Sequence, residues 1–183
     1  MTKSFPKLPV LALVLGAALL AGCGSSSSTT STEDWANSLC SAITTFTSSV
    51  KTSTDSLKSG NLSKDGLQSS ADEIKSAGDT FASDLKGLGK PDTEAGQEAK
   101  ASIDQLSDEV AQDASDIKSA AGDVSGASSV LSAVTVVTGK LSTMSSQLQS
   151  TFNDLQQLDA KGELEQAFKQ APACSSLTKS SGG

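Results

Sequence analysis

Leu67, Ala71, Ile74, Gly78, Phe81, Leu85 and Leu88 recur at alternating steps of four and three. An α-helix turns once every 3.6 residues, so this spacing draws one apolar stripe along one helical face. Such a stripe must be buried against another element, which rules out an isolated or extended chain here. The same steps return at Ala99, Ile103, Leu106, Val110, Ala114, Ile117, Ala121 and Val124, with one residue added after Val110. A third seam is expected through Leu131, Val134, Thr138, Leu141, Ser145, Leu148, Phe152 and Leu155. The first helix is less regular, carried by Trp35, Leu39, Ile43, Phe46, Val50 and Leu57. Strand-like alternation is nowhere sustained. The β-branched run Val134 to Thr138 is the one local conflict with a helix.

The breaks between seams are equally plain. Gly60-Asn61 suits a helix C-terminus, and Ser63 can cap the next start. Gly87 to Glu94 ends one helix with glycine and offers Pro91, with Asp92 or Thr93 as cap, to begin another. Gly122 to Gly126 makes a third turn, with Ser125 as a cap. Lys161-Gly162 sets off a last short helix, Glu163 to Ala171, stopped by Pro172. These signals predict an all-α domain over residues 33–178, followed by a disordered tail at 179–183. The expected architecture is an antiparallel up-down-up-down four-helix bundle with a short C-terminal helix.

The first thirty-two residues have a different character. Lys3 and Lys7 precede an apolar run from Leu8 to Leu20, then small residues, the pattern of a secretory signal peptide. The run is short of the ~20 apolar residues a spanning helix needs, so residues 1–22 are expected to be cleaved. Leu20-Ala21-Gly22-Cys23 resembles the lipobox of bacterial lipoproteins. In that family the cysteine thiol receives a diacylglyceryl group and becomes the new N-terminus. The resemblance therefore implies lipidation of Cys23, a cell-membrane anchor and an extracytoplasmic location. Two or three acyl chains suit a stable anchor, because one chain holds only marginally. Gly24 to Thr32 contains only Gly, Ser and Thr, which predicts a flexible tether over 23–32 with a reach of roughly 15 to 20 Å.

Composition excludes several classes of chemistry. There is no histidine and no tyrosine, and every one of the 14 basic residues is lysine. Without His there is no Ser-His-Asp or Cys-His arrangement, and no Glu-x-x-His metal pair. Without Arg there is no bidentate fork for phosphate or carboxylate. Against those lysines stand 21 acids, for a net charge of −7, and cleavage of the signal removes two lysines more. A domain this acidic has no electrostatic footprint for nucleic acid. No cofactor and no metal site is expected.

Apart from Cys23, the chain has Cys40 and Cys174, an even pair in an exported protein and so an expected disulfide. They lie 134 residues apart, for which the chain-entropy estimate is about 4 to 5 kcal/mol. In an antiparallel bundle the start of the first helix and the end of the fourth share one end, which makes the bridge geometrically reasonable. That end, where the tether arrives, is expected to hold Trp35, Cys40, the Lys90-Pro91 turn and Cys174, with Trp35 covering the open core.

Two candidate sites emerge. The third helix, carrying Glu94, Glu98, Asp104, Asp108, Glu109, Asp113 and Asp116, is the most acidic. A helix cannot wrap six to eight oxygens around one cation, so a solvated face is expected there. The far tip offers Asn61, Leu62 and Val124 as a partner surface. In layout (lipobox, Ser/Thr tether, acidic helical domain, a cysteine near each end) the chain resembles small lipoproteins of actinobacteria, a resemblance that implies no particular activity. The expected role is a non-catalytic binding or scaffolding module with a protein or small-molecule partner. Two alternatives are a carrier holding a lipid or other apolar molecule within the bundle, and an enzyme using paired carboxylates.

Overall fold

The computed structural model describes residues 29–58, 62–158, 160–175 and 177. The signal segment, Cys23, most of the tether, Gly60-Asn61 and the tail lie outside them. Helices dominate: α1 (Thr32–Lys58), α2 (Lys64–Gly87), α3 (Gly96–Gly122), α4 (Ala127–Gln157) and the short α5 (Glu163–Gln170), followed by a 3₁₀ turn at Pro172–Cys174. Two extended pairs of residues, β1 (Thr29–Thr30) and β2 (Lys90–Pro91), lie side by side in parallel. The protein is an all-helical bundle in which α1 packs on α2, α2 on α3 and α3 on α4. The short α5 packs against both α1 and α4.

The helix starts follow local hydrogen-bonding rules. Ser31 Oγ accepts from the Asp34 backbone N–H at 3.2 Å and donates to the Asp34 carboxylate at 2.6 Å, a reciprocal cap. Ser63 Oγ accepts from Gly66 N–H at 3.1 Å, the expected cap of α2. At α4 the expected cap, Ser125, is replaced by Ser129, whose hydroxyl accepts from Gly126 N–H at 2.8 Å and Ser125 N–H at 2.9 Å. The many Ser and Thr residues of these helices are tolerated because their hydroxyls fold back onto the preceding turn. Thr44 donates to the Cys40 carbonyl at 2.8 Å and Thr54 to that of Val50 at 2.7 Å.

α3 starts later than expected. Pro91 does not open the helix; it pairs with Thr30, and its carbonyl accepts from Thr93 N–H at 2.9 Å. The helix begins at Gly96, where a Cβ would sit 2.3 Å from the Pro91 carbonyl oxygen, so the folded-back turn requires a residue without a side chain.

The seams of α2 and α3 are buried as the spacing predicts, from Leu67 to Leu85 and from Ala99 to Val124. Their closest approach is at Gly78, where an added Cβ would lie 2.7 Å from the Ala114 Cβ. Nearby, Ser107 is fully buried and donates to the Ala82 carbonyl at 3.0 Å, which satisfies both groups across the interface. α4 departs from the expected frame. Val130, Ala133, Val137, Met144, Leu148 and Leu155 face the core, while Leu131 is 66% exposed and Thr138 and Ser145 are exposed. Apolar residues occupy both frames through this valine-rich stretch, so spacing alone did not select between them.

One end of the bundle is closed by the start of α1 and by α5 with the turn that follows it. Trp35 is fully buried and its Nε1–H donates to the Gly89 carbonyl at 3.3 Å. Phe168 of α5 packs 6.2 Å from the Trp35 ring and 4.9 Å from that of Phe152. Cys40 and Cys174 are bonded, with Cα atoms 5.1 Å apart, and the Asn37 side-chain oxygen Oδ1 accepts from Ala173 N–H at 3.1 Å. Thr29 to Thr32, which composition assigns to the tether, are held here too: β1 lies on β2, and Asp92 N–H donates to the Thr30 carbonyl at 3.0 Å.

This packing sets the expected stability of three variants. Gly78→Ala should destabilise by ~1–2 kcal/mol, because overpacking exceeds the gain in helix propensity. Gly139→Ala, where an added Cβ meets nothing within 4 Å, should stabilise by ~0.5–1 kcal/mol. Urea unfolding of the two variants reads both signs, and equal signs would contradict the packing described. The double variant Cys40→Ser, Cys174→Ser should lose about 2–4 kcal/mol in the same assay. A loss under ~1 kcal/mol would show that the 134-residue loop constraint contributes little.

Candidate functional site

The expected tip surface is only partly present. Asn61 lies outside the described residues. Leu62 is 57% exposed, as expected of a tip residue, whereas Val124 is 3% exposed and belongs to the core. The four-three step that buries Ala121 continues to Val124 beyond the end of α3, which turns it inward. A single exposed leucine is ordinary surface rather than a patch.

The acidic helix is mostly a solvated face laced by short-range pairs. Asp104 pairs with Lys100, Asp108 with Lys86 at 2.9 Å, and Glu109 accepts from Gln105 at 2.7 Å. Asp113 differs: it is buried against α4, where Lys140 reaches its Oδ1 at 2.8 Å and the Asp116 carboxylate at 2.6 Å. The other Asp113 oxygen is buried without a hydrogen-bond partner. Lys140 holds the Asp116 carboxyl below its ordinary value, with a lesser contribution from Gln112. The Lys140 ammonium is in turn raised, by Asp113 first and Asp116 second. A carboxylic acid working as a proton donor near neutral pH needs a shift in the opposite direction to that of Asp116. Among the described residues, no group of three His, Cys, Asp or Glu side chains is placed to hold a metal.

A second feature lies between α1 and α2. Their outer faces enclose an open groove of about 470 Å³. Its floor is the stacked pair Phe46 and Phe81, with ring centroids 4.7 Å apart and planes inclined by 18°. Both rings are almost fully buried, and Ala42 and Ala77 continue the apolar floor. The walls carry hydroxyls, from Thr45, Ser49, Thr52 and Ser53 on α1 and from Ser76 and Thr80 on α2. Two carboxylates complete the lining, Glu73 and Asp84, both exposed. Glu73 accepts from the buried Ser53 hydroxyl at 2.9 Å. Among the described residues, neither acid pairs with a lysine.

This groove was not among the sites expected from sequence. Phe46 and Phe81 read as seam residues, which they are, and Glu73 and Asp84 were not singled out. The available signal was the spacing of the two acids: eleven residues is three helical turns, so both fall on one face of α2. The burial of Asp113 against Lys140 was likewise hidden, since each flanks a seam on a different helix, and Asp113 read as part of a solvated face.

No helix among the described residues is long and apolar enough to cross a membrane. Comparison with known proteins returned no match to this chain among family models, curated proteins or solved structures.

The Asp113–Lys140–Asp116 cluster makes a pH prediction. A carboxyl held below its unfolded value contributes stability that is present above that value, here 3.8, and lost as pH falls through the folded one. Lys140→Met should therefore lower the Tm at pH 7, and the gap to wild type should close as the solution is taken to pH 2. An equal gap at both pH values would show that Lys140 acts through packing rather than charge.

Proposed function

We propose that this protein is a membrane-tethered extracytoplasmic lipoprotein whose helical bundle is a non-catalytic binding module. The reading is carried by how the three cysteines divide. Cys23 stands in Leu20-Ala21-Gly22-Cys23, the sequence that resembles a lipobox, while Cys40 and Cys174 are bonded to each other. Disulfides persist in oxidising compartments, so the bond in the folded domain agrees with the export that the N-terminal segment implies.

On this reading the bundle runs up-down-up-down. Cross-helix partners support alternating directions: Phe46 with Phe81 and Ser53 with Glu73 between α1 and α2, then Asp72 with Lys118 and Lys86 with Asp108 between α2 and α3. In each case the higher-numbered partner on one helix meets the lower-numbered one on the other. The lipid anchor then lies at the end where Trp35, Cys40, β2 and Cys174 gather, and the groove between α1 and α2 opens on the side of the domain.

A binding role is favoured over the two alternatives by particular observations. The α1–α2 groove is open and hydroxyl-lined rather than an enclosed apolar chamber, which suits a surface ligand better than a lipid cargo. The most buried acid of α3, Asp113, is committed to Lys140 and is poorly placed to act on a substrate.

The anchor is tested by fractionation and intact mass. Wild-type protein from its own membranes should weigh the chain from Cys23 plus acyl groups, less two hydrogens for the disulfide. Cys23→Ser should lose the lipid and leave the membrane fraction. Wild-type chain that still carries Met1 to Gly22 would overturn the reading.

A further inference from the structure

The geometry points to a ligand class for the α1–α2 groove: a linear aliphatic polyamine, lying lengthwise with an ammonium group at Glu73 and another at Asp84. The inference deepens the binding-module reading and rests on it.

The argument begins with what the groove offers as hydrogen-bonding chemistry. Three of its six hydroxyls, those of Thr52, Ser53 and Thr80, already give their protons to acceptors within the fold. Thr52 donates to the Ser48 carbonyl at 3.0 Å, and Thr80 to that of Ser76 at 2.9 Å. Ser53 has a single proton, which lies between the Glu73 carboxylate at 2.9 Å and the Ser49 carbonyl at 3.2 Å. What these groups turn outward is lone pairs. The carboxylates of Glu73 and Asp84 add acceptors only. No lysine lines the groove. It is thus richer in acceptors than in donors and negatively charged, over an apolar floor of stacked phenyl rings.

A complementary ligand must bring donors without bringing acceptors, carry positive charge, and have an apolar body. A sugar fails the first condition, since each of its hydroxyls is an acceptor as well. A lysine-rich peptide fails it too, because its backbone carbonyls would face acceptor walls. A linear polyamine meets all three conditions, having ammonium donors, no acceptors in its charged form, and methylene runs for the floor. Length agrees as well. Three helical turns place Glu73 and Asp84 roughly 16 Å apart along α2. A thirteen-bond tetraamine such as spermine, fully extended, covers about 16 Å at the roughly 1.2 Å advance per bond of an extended chain. The acidic surface of the domain raises the local concentration of such a cation.

The test is calorimetric titration of the purified full chain with spermine, beside Glu73→Gln, Asp84→Asn and Asp79→Asn. Asp79 lies on the same helix but pairs with Lys75 outside the groove, so its variant removes the same charge from the wrong place. The expected result is one spermine per chain, with affinity reduced about tenfold by each groove variant and unchanged by Asp79→Asn. Thermal melting of each variant confirms that the fold is retained. Absence of spermine binding to the wild type would overturn the proposal. So would an equal loss in all three variants, which is the signature of diffuse attraction to an acidic surface. Either failure with the lipid on Cys23 intact removes the ligand and leaves the anchored-lipoprotein reading standing.

Discussion

The close contact of α2 with α3 is what the rest of the bundle leans on. Gly78 meets Ala114 with no room for another carbon, and the buried Ser107 hydroxyl ties across to the Ala82 carbonyl. α1 then packs on the outer side of α2 and α4 on α3. A core with few aromatics must draw its cohesion from such close approach, because dispersion depends on many short contacts rather than a few large side chains. The small residues of the α2 and α3 seams serve that purpose.

The other organising feature is the closed end. α5 is too short to stand alone, since eight residues fall below what an isolated helix needs in water. It is held because Phe168 fits between Trp35 and Phe152, and because the disulfide fixes the turn that follows it. The short helix in turn joins α1 to α4.

How much of this was legible in the sequence depends on how unequal the faces of each helix are. In α2 and α3 the flanking positions are polar, charged or alanine, so the larger apolar residues mark the four-three step in only one way. It is buried from Leu67 to Leu85 and from Ala99 to Val124. The pairing of Cys40 with Cys174 followed from there being two candidates and one plausible end of the bundle. α4 was misread in its first half because Val130, Leu131, Val134, Val136 and Val137 populate several faces, and only contact with α3 selects the frame. The start of α3 was misplaced because Pro91 is a good first helical residue, and nothing local reveals that its carbonyl is already engaged by Thr93. The groove was hardest to see. Glu73 and Asp84 gain meaning only when α1 lies alongside with its hydroxyls, a tertiary fact with no signature in either helix alone.

The pairing of β1 with β2 bears on how the domain would carry load if it is anchored as proposed above. Any pull on the chain ahead of Thr29 reaches the body of the protein by two routes. One runs through Ser31 and α1 to Cys40 and across the disulfide to the C-terminal turn. The other passes sideways from Thr30 into Lys90, Pro91 and Asp92, the junction between α2 and α3. Tension is therefore shared between a covalent strut and a hydrogen-bonded one. Both meet the bundle beside its buried tryptophan, so drag on the domain is delivered to its best-tied end rather than peeling α1 away turn by turn.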